Sequence, residues 1–101
     1  MYPDPTSTPA ACPVVLVIED DPGDAQLIRW QLLERSPTAF DVHIVESLAA
    51  AERKIHQGIH PDVVLLDLNL PDSFGISTVA SCRKLLPDAP IVVLTGLDQH
   101  E

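Results

Sequence analysis

Acidic residues stand at the ends of two apolar runs. Glu19, Asp20 and Asp21 follow Val14–Ile18, and Asp67 follows Val63, Val64, Leu65 and Leu66. Carboxylates brought together repel one another, and the usual remedies are a bound cation or protonation of one member. No His or Cys accompanies them, so magnesium suits the donors better than zinc: it keeps several waters and takes one or two carboxylates with phosphate oxygens. A third apolar run, Ile91–Leu94, is followed by the hydroxyl of Thr95 and by Gly96.

These residues need a scaffold that brings strand ends together. Short β-branched runs alternate with amphipathic stretches from Val14 onward, a βαβα rhythm. Val14–Ile18 is a strand apolar on both faces, as in a parallel sheet. Asp21 caps a helix that starts at Pro22, buries Ala25, Ile28 and Leu32 and runs to about Glu34. Residues 40–45 form a second strand. Ser47 then caps a helix carrying Leu48, Ala51 and Ile55, which ends near Gln57 with Gly58 beyond it. Val63 to Leu66 form the central strand, residues 69–75 read as a loop, and Ile76, Val79, Ala80 and Leu86 mark a third helix before the fourth strand, Ile91–Leu94. In an open sheet of this kind, sites form outside the carboxyl ends of the strands.

The 101 residues suit one small domain, with 46% hydrophobic residues for a core. Residues 1–13, with Pro3, Pro5, Pro9 and Pro13, read as a disordered tail ahead of a domain over 14–101. A net charge of -9 argues against nucleic acid and anionic membrane surfaces as partners. No run is long enough for a membrane span or a signal-peptide core, and Cys12 and Cys82 show no metal-ligand spacing, so a cytoplasmic, reducing setting is expected. Trp30 is expected to be partly buried, His43 to lie at the rim, and Cys82 to act as a small apolar residue.

Val15 through Pro22, then Pro61 through Pro71 with Gly75, then Ile91 through Gly96, together resemble the receiver domain of bacterial response regulators. The resemblance implies a flavodoxin-like, doubly wound parallel sheet of strand order 2-1-3-4. It also implies phosphoryl transfer from a sensor histidine kinase or phosphotransfer protein to an aspartate, without enzymatic turnover beyond self-catalysed phosphotransfer and dephosphorylation. On this reading Asp67 is the phosphoacceptor, and Mg2+ is held by Glu19, Asp20, Asp67 and the backbone carbonyl of Asn69. Thr95 is the switch hydroxyl, and Gly96 leaves access for the phosphoryl group. Glu19 stands where Asp is more common.

The family continues through a further helix, strand and helix and carries a lysine at the end of that fifth strand. Lys54 and Lys84 both fall on helices and do not match it. Two readings therefore stand: a phosphoacceptor receiver, or a truncated receiver without productive phosphotransfer that serves as an association module. With Ile91–Leu94 as an apolar edge strand, a homodimer through this region is expected. A hydrolase with an aspartyl intermediate is disfavoured, since Asn69 rather than a second Asp stands two residues after Asp67.

Overall fold

The computed structural model of the chain describes residues 12–35 and 40–94. Its elements in order are β1 (Val14–Ile18), α1 (Pro22–Arg35), β2 (Asp41–Val45), α2 (Leu48–His56), β3 (Val63–Asp67), β4 (Asn69–Leu70), β5 (Ser73–Phe74), α3 (Ser77–Leu85) and β6 (Ile91–Leu94). The four long strands form one sheet in the order β2-β1-β3-β6, every pairing parallel. This is the expected order, with β6 as the fourth long strand, and the fold is flavodoxin-like.

Alternation along the central strands sends side chains to two cores. Leu16, Ile18, Val64 and Leu66 pack with Ala51 of α2 and Cys82 of α3 on one face. Val15 and Val17 pack with Ile28 and Leu32 of α1 on the other. Cys82 is fully buried, as its reading as a small apolar residue requires.

The helix starts follow local chemistry. Asp21 Oδ1 accepts from the Gly23 N–H at 2.8 Å and the Asp24 N–H at 3.4 Å, and Ser47 Oγ accepts from Ala50 N–H at 3.0 Å. At the far end of α2, Gly58 takes a φ of +104°, the left-handed conformation that closes a helix without a Cβ penalty. Arg83 donates to the carbonyls of Leu86, Pro87 and Ala89 and so ties the end of α3 to the start of β6.

Three expectations need correction. Residues 69–75 are not a plain loop: β4 and β5 pair as a small antiparallel hairpin, Asn69 with Phe74 and Leu70 with Ser73. On α3 the fully buried positions are Thr78 and Cys82, while Ile76 is 77% exposed. Thr78 tolerates burial because Ser73 Oγ lies 2.8 Å from its Oγ1 and shares a hydrogen bond with it. Trp30 is 69% exposed rather than partly buried, because α1 turns only its Ala25 and Ile28 side to the sheet.

Candidate functional site

β1 and β3 are neighbours in register, with Ile18 beside Leu66, so the residues that follow each strand body emerge together at its carboxyl end. Asp67 closes β3 and pairs with Leu94 of β6. Glu19 extends the β1–β2 ladder by donating its N–H to Val45 O at 2.9 Å. The turn beyond it folds back, and the Asp21 N–H donates to Glu19 Oε2 at 3.1 Å.

The outcome is a triad of carboxylates. One oxygen each from Glu19, Asp20 and Asp67 lies within 4.8 Å of the other two; Glu19 and Asp67 are buried and Asp20 is exposed. Burial and the adjacent Asp67 carboxylate disfavour charge on Glu19, lifting its pKa from 4.5 to about 7, against the opposing hydrogen bond from Asp21. A proton shared with Asp67 is one relief of this repulsion; a hard cation is the other, and an all-oxygen donor set is the kind such a cation takes.

Of the residues singled out in the sequence, Glu19, Asp20 and Asp67 thus come together. Asn69 adjoins them, its N–H donating to Asp67 Oδ1 at 3.1 Å. Thr95 and Gly96 lie outside the described residues. One long-range contact near them has no signature in the sequence: the carboxylate of Asp72, in the turn of the hairpin that begins at Asn69, accepts from the N–H groups of Leu48 and Ala49 at the start of α2. A turn Asp after Pro71 reads simply as turn chemistry, and its partners lie 24 and 23 residues away.

Residues 15–101 match the profile of the response regulator receiver domain. The chain belongs to that family. Among relatives of this receiver domain, the luminescence regulatory protein LuxO of Vibrio campbellii is 35% identical over 80 residues, covering 79% of the chain and 17% of LuxO. The probable transcriptional regulatory protein TcrX of Mycobacterium tuberculosis is 34% identical over 90 residues, covering 86% of the chain and 36% of TcrX. The receiver thus spans only a minor part of the length of either relative. Among solved structures, the phosphorylated cyanobacterial phytochrome response regulator RcpA superposes with a TM-score of 0.70 at 30% identity, over 87% of this chain and 69% of that one. The MaeR response regulator bound to beryllium trifluoride gives 0.67 at 27% identity, over 86% and 70%. Receiver domains are regulatory modules of two-component signalling, and no helix among the described residues is long and apolar enough to cross a membrane.

Proposed function

We propose that Asp67 accepts a phosphoryl group from a histidine kinase or phosphotransfer protein, at a site where Glu19, Asp20, Asp67 and the Asn69 carbonyl hold Mg2+. The gathering of three carboxylates at the carboxyl ends of β1 and β3, two of them buried, carries this reading. Bound Mg2+ would supply the positive charge that lets two anions approach. An Asp67 carboxylate oxygen attacks phosphorus in line, the bond from phosphorus to the donor's imidazole nitrogen breaks, and the electron pair leaves with that nitrogen. Glu19 and Asp20 hold the charge balance, and the Asn69 N–H fixes the Asp67 carboxylate through Oδ1. Leu94, paired with Asp67, is the residue before Thr95 and Gly96, which we assign as switch hydroxyl and access residue. A cytoplasmic setting without nucleic-acid contact goes with this reading. Incubation with acetyl phosphate and Mg2+ is expected to add one phosphoryl group to the native chain and none to Asp67→Asn; labelling of the variant, or none of the native chain, would refute it.

A second role, association through β6 as a homodimer, is favoured by the apolar surface beside that strand. Val92 is 48% exposed, and a groove of about 570 Å³ runs between α1 and the sheet, bounded by Ile28, Leu32, Phe40, Leu65 and Leu94. Light scattering tests it: mass doubling with concentration supports a dimer, and a monomer at high micromolar concentration removes it.

A further inference from the structure

The β4–β5 hairpin leaves the sheet directly after Asp67 and carries Asn69 on its first strand. Two-residue strands do not hold a conformation by themselves. At its base the Gly75 N–H donates to Leu68 O at 2.7 Å, and Gly75 takes a φ of +76°, so this closure depends on the absence of a side chain. Leu70 is buried in the core, and Ser73 is joined to Thr78 of α3. The tip is held differently. Asp72 Oδ1 accepts from Leu48 N–H at 3.1 Å and Oδ2 from Ala49 N–H at 3.0 Å, so both oxygens of one carboxylate clamp the start of α2.

That clamp completes the cap of α2 and, unlike Ser47, does so from another element. Ser47 already bonds Ala50 N–H, and Asp72 takes two further N–H groups of the first turn that have no partner within the helix. A carboxylate at a helix N-terminus is also favoured by the helix dipole. The same two bonds that finish α2 therefore fix the tip of the hairpin on which Asn69 sits.

We propose that Asp72 is a positioning residue for the metal site: by tying the hairpin tip to α2 it holds Asn69, and with it the Asp67 carboxylate, in the arrangement that receives Mg2+. This rests on the metal reading above. Coupling through a clamp is reciprocal, so Mg2+ binding also tightens the start of α2.

The test compares the native chain with Asp72→Ala, Asp72→Asn and Ser47→Ala, using Mg2+ titration calorimetry and amide hydrogen exchange. Ser47→Ala removes a hydrogen bond from the same helix end without touching the hairpin, so it isolates the loss of a cap. Asp72→Ala is expected to speed exchange at Gly75 N–H and to weaken Mg2+ binding about tenfold, the lower end of what outer-shell partners contribute. Ser47→Ala leaves both within about twofold, and Asp72→Asn, which keeps one acceptor oxygen, recovers part of the affinity. Saturating Mg2+ slows exchange at Leu48 and Ala49 in the native chain but not in Asp72→Ala. Unchanged Mg2+ affinity in Asp72→Ala, or an equal loss in Ser47→Ala, would reduce Asp72 to a cap and overturn the proposal. A native chain that binds no Mg2+ would overturn the metal reading itself, and this inference with it.

Discussion

The bodies of β1 and β3 and their carboxyl ends are buried alike and do opposite things. Val15, Leu16, Val17, Ile18, Val64 and Leu66 are at most 1% exposed, and immediately beyond them Glu19 and Asp67 are still only 4% and 8% exposed. Hydrocarbon at that depth stabilises the fold by roughly 1.5–3 kcal/mol per large side chain. A carboxylate at the same depth is a liability unless something offsets its charge. The contrast teaches that burial by itself does not stabilise: the same depth that favours hydrocarbon disfavours charge, the trade that the proposed phosphoacceptor site would make.

Three measurements break or sharpen that contrast. The largest effect belongs to the strand body: Leu66→Ala is expected to destabilise the domain by about 2–5 kcal/mol, read from the urea midpoint. A change below about 1 kcal/mol would mean that this position collapses around the cavity and that the central strand is not the structural spine.

Next comes pH. Glu19 has its folded pKa raised, by burial first and Asp67 after it, so the folded state binds its proton more tightly than the unfolded chain. Stability is then fully present below the unfolded value of 4.5 and declines as pH rises toward about 7. In magnesium-free buffer the decline should amount to about 2–3 kcal/mol from this group. Urea melts across that window check it, and a rise in stability over the same range would contradict the assignment. Millimolar Mg2+ is expected to remove the decline, by binding only the folded, deprotonated site.

The smallest effect is Asp67→Asn in magnesium-free buffer near neutral pH, where loss of one charge beside Glu19 should stabilise by about 1 kcal/mol and flatten the pH profile. The sign matters more than the size. A destabilised Asn variant would mean that Asp67 is held by favourable contacts, and that the two regions differ less than their chemistry suggests.

Local rules make much of this legible in the sequence. Asp21 and Ser47 cap partners within three residues, and the acids stand out because each ends an apolar run. Features set by distant partners were not legible. Asp72 meets Leu48 and Ala49 across the fold, so its place in the sequence carries only the signature of a turn. Thr78 is buried instead of Ile76 because Ser73 satisfies its hydroxyl, a pairing that hydrophobic spacing cannot register. The hairpin is hidden for a related reason: two-residue strands show no alternation. Trp30 is the opposite case, since its size argues for burial while the orientation of α1 leaves it outside.

The central claim is that Asp67, and no other acid of the triad, takes the phosphoryl group. An acyl phosphate is reduced by borohydride to an alcohol, which turns a phosphorylated aspartate into homoserine and leaves a free carboxylate untouched. The native chain would be treated with acetyl phosphate and Mg2+, reduced, digested and mapped by mass spectrometry. Homoserine at position 67 alone, and only when Mg2+ is present, is the result this account predicts. Reduction at Glu19 or Asp20, or none under conditions that label another receiver domain, would contradict it.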